Sequence, residues 1–220
     1  MADELLDLLE PSDRDDLLAI GRRVRAARGQ ALLAQGQVPD RVLVLLDGRV
    51  KVTATTPAGH DAVLAFRGPG ALLGEQALFD GAPRSAGVVG VEPVEALSLE
   101  AGAFRVYLER RPRVMLLLLG LMSARLRDAD RKRIDFGHAD TTGRVCARLL
   151  ELAEDHGEAT DGGGVRIVLP ITQEDLAAWS GASIEAAVKA LRTLRELGWI
   201  ETGRRSYVIR DADALRRRSA

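Results

Sequence analysis

A chain of 220 residues, 46% hydrophobic and 29% charged, can bury one large or two modest cores, since domains run to roughly 100–200 residues. No apolar run reaches the ~18 residues of a spanning helix, the longest being Val114 to Met122, and Met1 to Glu10 shows no basic-then-apolar export pattern, so the expectation is a soluble, cytoplasmic protein with no membrane partner. One cysteine, Cys146, excludes an intrachain disulfide, an iron-sulfur cluster and a thiolate zinc site, so no metal is expected; the net charge of -1 gives no global pull toward nucleic acid.

The chain opens on acidic helical segments, Glu4 to Glu10 and Asp13 to Arg22. From Val24 to Leu99 it reads as short apolar or alternating runs between glycine turns. Arg41 to Leu46 and Arg49 to Thr55 flank Asp47-Gly48, a hairpin signal, and Pro57-Ala58-Gly59 precedes the run Asp61 to Phe66. Regularly spaced short strands predict an antiparallel roll or barrel.

From Glu100 to Ile134 the apolar spacing becomes helical, with a break at Pro112. Met115, Leu119, Met122, Leu126, Ala129 and Arg133 recur at alternating steps of four and three, the seam of a two-helix coiled coil. Val114, Leu117, Leu118 and Leu121 form a second face to pack on the roll. Two apolar faces call for two partners, which predicts a homodimer; a single buried core helix is the alternative. Gly137 to Asp140 reads as a hinge, and Thr141 to Glu154 as an amphipathic helix with Cys146 on its apolar side. Asp161-Gly162-Gly163-Gly164 reads as a turn, because no Gly-Lys-Ser/Thr follows to make a phosphate loop.

Thr172, followed by Gln173, Glu174 and Asp175, predicts a capped helix with Leu176, Ala177 and Trp179 inward. Ser180-Gly181-Ala182-Ser183 ends it and caps a second helix, Ile184 to Leu197, with Ala187, Leu191, Leu194 and Leu197 inward. So short a turn makes the helices cross steeply, which lets the second enter a groove. Trp199 to Thr202 and Ser206 to Arg210 then form a wing with Arg204 and Arg205 at its tip; Trp179 and Trp199 read as core anchors. Ser183 to Arg210 holds six basic residues against three acidic ones, a local +3 suited to a phosphate backbone. A solvated helix face is the bland alternative. Glu185, Lys189 and Arg192 lie off the apolar side.

With these elements in place, the chain resembles the Crp/Fnr family of bacterial regulators over nearly its full length. Gly74-Glu75-Gln76-Ala77-Leu78-Phe79-Asp80-Gly81-Ala82-Pro83-Arg84-Ser85 is similar to that family's phosphate-binding cassette. The resemblance implies an α+β protein: an N-terminal cyclic-nucleotide-binding β-roll (1–110), a dimerisation helix and hinge (111–139) and a C-terminal winged helix-turn-helix (140–220). Arg84 would meet the cyclic phosphate with two parallel donors, helped by Ser85 and by amides beside Gly74, and Glu75 would accept from the ribose 2'-hydroxyl. Adenine in cyclic-AMP-binding relatives meets hydroxyl side chains where this chain has Ala129 and Asp130. Neither carries a hydroxyl, a departure from that pattern; cyclic AMP stays the first expectation from the resemblance, while Asp130, able to accept from the adenine amino group or twice from guanine, keeps cyclic GMP or cyclic di-GMP open.

On the DNA side, Thr172, Gln173 and Ser183 are candidate DNA contacts, Arg204 of the wing would lie beside the phosphate backbone, and Glu185 and Lys189 match family base or phosphate contacts. Ile184 stands where relatives often carry a guanine-reading arginine, so the operator should differ. The resemblance also implies a homodimer on a near-palindrome and a contact with RNA polymerase. No cofactor is required beyond the nucleotide effector. Two rivals are a ligand-independent DNA-binding regulator that keeps the roll as a scaffold, and a redox or gas sensor, for which Cys146 and the scattered His60, His138 and His156 offer no site. An enzyme is not expected, since no paired carboxylates, activated nucleophile or metal spacing is present.

Overall fold

A computed structural model describes residues 4–56, 59 and 61–219. Pro57 and Ala58 of the expected turn, and His60, lie outside the described residues. The chain divides into two compact units, one up to Asp128 and one from Ala129.

In the first unit, α1 (Leu5–Leu8) and α2 (Pro11–Ala19) precede β1 (Arg22–Ala26). The expected helix to Arg22 thus stops earlier, because Gly21 follows the cap Ile20 and its missing side chain lets Leu97 pack against the backbone. The strands β2 (Ala31–Leu33), β3 (Arg41–Asp47), β4 (Val50–Thr55), β5 (Asp61–Arg67) and β6 (Leu72–Leu73) lead to the short helix α3 (Glu75–Asp80). Then come β7 (Gly87–Gly90), β8 (Val94–Glu100), α4 (Ala101–Glu109) and α5 (Pro112–His138). Two antiparallel four-stranded sheets result, in the orders β1-β8-β3-β6 and β2-β7-β4-β5.

Asp47-Gly48 does not close a hairpin. β3 pairs with β6 and β8, whereas β4 pairs with β5 and β7. The chain instead crosses from one sheet to the other at Gly48, whose φ is +79° and where a Cβ would collide with the Pro93 carbonyl oxygen. Turn chemistry is the same in both cases; pairing depends on partners far away in sequence.

β3 shows why its sequence is continuously apolar. Val42 and Val44 face a core with Leu5, Leu6, Phe104, Val114 and Leu118, while Leu43 and Leu45 face Leu33, Val50 and Leu73 inside the roll. A sheet covered on both sides loses the polar alternation of a half-exposed one. The inner face of α5 packs as expected, with Val114 and Leu118 buried and Leu117 and Leu121 against the same core. Its other face stays exposed: Met115 by 44%, Leu119 by 64% and Leu126 by 63%.

In the second unit, α5 runs on through Gly137 and His138, so only Ala139 and Asp140 separate it from α6 (Thr141–His156). The hinge is shorter than expected, since one glycine costs a helix only ~1 kcal/mol. β9 (Gly157–Ala159) and β10 (Val165–Ile167) flank the Asp161–Gly164 turn, and α7 (Gln173–Trp179), α8 (Ile184–Glu196), β11 (Ile200–Gly203), β12 (Ser206–Ile209) and α9 (Ala212–Ser219) complete the unit. Its sheet has the order β11-β12-β10-β9. Cys146 is fully buried, and that burial pushes its thiol up to about 11, as for a packing residue rather than a reactive one.

Candidate functional site

The cassette is built by two left-handed glycines around α3. Gly74 (φ +80°) caps its start and Gly81 (φ +71°) its end. The chain then returns through Pro83 to Arg84, whose amide donates to Gln37 O at 2.9 Å. The Arg84 side chain is 2% exposed. Its Nη1 donates to Gly74 O at 3.2 Å, and its Nη2 donates to Arg41 O at 2.6 Å and to Asp40 Oδ1 at 3.3 Å. Its Nε is buried without a hydrogen-bond partner. A Cβ on Gly74 would collide with Arg84 Nη1, so glycine there is a condition for the guanidinium's position.

A buried guanidinium with one N–H still unmet suits an anion, because an unpaired buried donor costs about 1–3 kcal/mol. Asp40, 65% exposed, is the most accessible of its partners. Glu75 is also buried, its side chain 4% exposed, with Oε1 accepting from Arg125 Nη1 at 2.7 Å. Ser85 is exposed next in the chain. Gly74, Glu75 and Arg84 thus come together. Ala129 and Asp130 are exposed on α5, in the other unit.

Two residues that sequence reasoning passed over complete this region. Arg125 of α5 holds Glu75 and donates from Nη2 to Leu72 O at 3.0 Å and to Glu4 Oε2 at 3.3 Å. Burial pushes the Glu4 carboxyl above its ordinary value, against the opposing pull of Arg125 and Arg67. Neither residue lies in a local motif.

The helix-turn-helix is capped as its sequence predicts. Thr172 Oγ1 accepts from the Asp175 amide and Asp175 Oδ2 from the Thr172 amide, both at 3.0 Å, and Ser183 Oγ accepts from the Ala186 amide at 3.2 Å. Each such cap contributes about 1 kcal/mol. Gly181 turns the chain at φ +57°, and a Cβ there would strike the Phe136 ring. Arg144 fastens this turn: Nε donates to Ser180 O at 2.8 Å, Nη1 to Ala139 O at 2.7 Å, and the guanidinium lies 5.6 Å from the Phe136 ring centre.

Ala187, Ala190, Leu191 and Leu194 anchor α8. Leu197 is a correction: as the C-cap it is 53% exposed, because the helix stops there and Gly198 (φ +73°) redirects the chain. Trp179 is buried, whereas Trp199 is only half-buried. Gln173, Ser183, Ile184, Glu185, Lys189 and Arg204 are exposed and Thr172 half-buried. Hydrogen bonds at its own amide and from Ser183 hold the Glu185 carboxyl below its usual range, so it stays an acceptor. Arg192 and Arg210 are engaged by Glu196 and Glu201 at 2.8 Å each. Arg195 donates to Thr202 Oγ1 at 3.2 Å, tying α8 to the wing, where Arg205 takes a left-handed φ of +57°.

Comparison with known proteins agrees with this geometry. The cyclic nucleotide-binding domain model matches residues 23–111 and the Crp-like helix-turn-helix domain model residues 143–218. A CRP-like cAMP-activated global transcriptional regulator of Mycobacterium tuberculosis is 33% identical over 211 residues, 96% of this chain and 94% of that protein. The chain belongs to the Crp/Fnr family of transcription regulators. The cyclic AMP receptor protein of Thermus thermophilus is 30% identical to this Crp/Fnr chain, over 94% of it and 92% of the relative. A solved Crp/Fnr-family regulator of the same organism superposes with a TM-score of 0.75 at 27% identity, covering 90% of this chain and 98% of that one. A c-di-GMP-responsive regulator of Xanthomonas campestris shares the fold, with a TM-score of 0.81 at 21% identity, covering 91% and 99%. This Crp/Fnr protein is accordingly a regulator and not an enzyme. Among its described residues no helix is long and apolar enough to cross a membrane, and no group of three or more His, Cys, Asp or Glu could hold a metal ion.

Proposed function

We propose that the protein is a homodimeric DNA-binding regulator whose operator affinity is set by a cyclic nucleotide held in the roll, cyclic AMP first. Residues 1–110 would act as the effector domain, 111–139 as dimerisation helix and hinge, and 140–220 as the DNA-reading domain. The observation that carries this reading is the buried Arg84 guanidinium with its unmet Nε, framed by Gly74 and Glu75. Ser85 would add a donor to the phosphate. Ala129 and Asp130 are the base-reading positions, and Asp130 makes cyclic GMP or cyclic di-GMP the competitor effectors.

Met115, Leu119 and Leu126 expose an apolar stripe on α5 that a second copy would cover. Two recognition helices about 34–36 Å apart would then meet successive major grooves of a near-palindrome. Glu185 and Lys189 would read bases, Ile184 (49% exposed) would touch a thymine methyl, and Thr172, Gln173, Ser183 and Arg204 would hold phosphates. The bound dimer would contact RNA polymerase, as family membership suggests. Effector binding shifts the operator-competent population only by its differential affinity for the two states.

A ligand-independent scaffold is the second reading, favoured by the three internal acceptors that Arg84 already satisfies. Calorimetry with cyclic AMP, cyclic GMP and cyclic di-GMP, paired with anisotropy on an operator selected from random DNA, separates the two. Nucleotide binding that is lost in Arg84→Leu, together with nucleotide-dependent operator affinity, supports gating. Operator binding identical with and without nucleotide, in wild type and variant alike, refutes it.

A further inference from the structure

Glu4 sits at the start of α1, its amide held by Asp7 Oδ2 at 3.1 Å, and Leu6 donates its amide to Gly70 O at 3.2 Å. Leu5, Leu6 and Leu9 belong to the same core as Val114 and Leu118 of α5. This anchoring places the Glu4 carboxylate between two cations, Oε2 at 3.3 Å from Arg125 Nη2 and Oε1 at 3.8 Å from Arg67 Nε. Arg125 gives its other arm to Glu75 Oε1 at 2.7 Å. The four groups form a chain, Arg67, Glu4, Arg125, Glu75, with side chains 21%, 20%, 18% and 4% exposed.

We propose that Glu4 is a specificity-positioning residue for the effector cassette: through the Arg125 guanidinium that both carboxylates share, it fixes the Glu75 carboxylate in the orientation that meets a ribose 2'-hydroxyl. The inference rests on the reading of the roll as a cyclic-nucleotide site. Counter-charges decide which atoms of Glu75 are occupied. Arg125 alone with Glu75 could rotate to give it both donors and occupy both of its oxygens, as a guanidinium does in a fork. Glu4 and the Leu72 carbonyl take Nη2, so only Nη1 reaches Oε1 and Oε2 is left to accept. Burial already strains the Glu4 charge, and a part-buried carboxylate keeps its partner because leaving it unpaired is costly. The segment ahead of the roll is thereby wired to a selectivity element about seventy residues downstream.

The test compares cyclic AMP and cyclic GMP with their 2'-deoxy analogues by calorimetry, in full-length wild type and Glu4→Gln. Wild type should prefer the ribonucleotide by about tenfold, the size of a hydrogen bond to a charged acceptor, and Glu4→Gln should bring the two within about threefold while still binding the deoxy form. General loss of stability weakens both analogues alike and leaves their ratio unmoved. Circular dichroism checks folding, and if Glu4→Gln does not fold, Glu4→Met gives the same readout at similar volume. A variant that keeps the wild-type ratio overturns the role of Glu4. Wild type that binds without discriminating overturns it too, yet leaves the effector reading standing; wild type that binds none of the four sinks both.

Discussion

Gly74→Ala and Gly81→Ala form a matched pair that isolates what the cassette glycine does. Both positions are left-handed, at φ +80° and +71°, and a side chain at such a φ costs about 1–2 kcal/mol. At Gly81 nothing lies within 4 Å of an added Cβ, so that strain is the whole penalty, a fall in melting temperature of a few degrees. At Gly74 the methyl group would collide with Arg84 Nη1 and lie 2.8 Å from Leu33 Cδ1. Overpacking adds about 1–3 kcal/mol, and the guanidinium must leave its place. Loss of one charge-assisted bond to a phosphate, about 1.5–3 kcal/mol, lowers nucleotide affinity by roughly ten- to a hundredfold. Differential scanning fluorimetry and calorimetric titration of both variants give the two readouts. Gly81→Ala should lose stability and keep affinity, and Gly74→Ala should lose both. Wild-type affinity in Gly74→Ala, with its stability reduced as in Gly81→Ala, would refute the claim that Gly74 holds Arg84 for an anion.

Leu119→Glu combined with Leu126→Glu places charge on the exposed stripe of α5 and should convert a dimer to a monomer in sedimentation velocity without loss of helix content; an unchanged sedimentation coefficient would count against this face as the interface. Asp140 caps α6 through Gly143 N at 2.8 Å and pairs with Arg218 at 2.5 Å, and these bonds hold its carboxyl below the ordinary range. A depressed folded pKa means the stabilisation is present above the unfolded value of about 3.9 and is lost as pH falls through the folded one. Asp140→Asn keeps a capping oxygen and loses the ion pair, so it should melt about 1–3 °C lower at pH 7, as an exposed pair allows, with the offset shrinking as the pH is lowered into the acid range. An offset that stays constant on acidification would place the effect elsewhere.

What could be seen in the amino-acid sequence followed the range of each interaction. Thr172 with Asp175, Ser183 with Ala186, and Gly181 are contacts within a few residues, so the helix-turn-helix was legible to within a residue or two. The cassette, Gly74 to Ser85, stood out as a contiguous motif through its family resemblance, but the contacts of Arg84 with Gln37, Asp40 and Arg41 are long-range and were not legible. The crossing at Gly48 was not, because Asp47-Gly48 has hairpin chemistry and only the partners of β3 and β4 decide which sheet each joins. Leu197 has core spacing but follows the last turn of α8, where the helical face it would share has ended. Arg125 and Glu4 stand 50 and 71 residues from Glu75 in the chain, the first touching it directly and the second reaching it only through Arg125. Nothing local marks either one, and their roles are visible only once α1, α3 and α5 are brought together.

The pairing of β1 with β8 carries a consequence for how the protein is made. Arg22 lies opposite Ser98, so at about 5–20 residues per second β1 has left the ribosome for roughly 4 to 15 seconds before its neighbour exists. Throughout that interval it is an unpaired strand beside other nascent chains, the situation in which edges recruit the wrong partner. Arg22, Arg23 and Arg25 are suited to that wait, because clustered cations repel copies of themselves. Glu95 then arrives on β8 to take up Arg23 and Arg25, so charges that deter association during synthesis become cross-strand pairs in the finished roll.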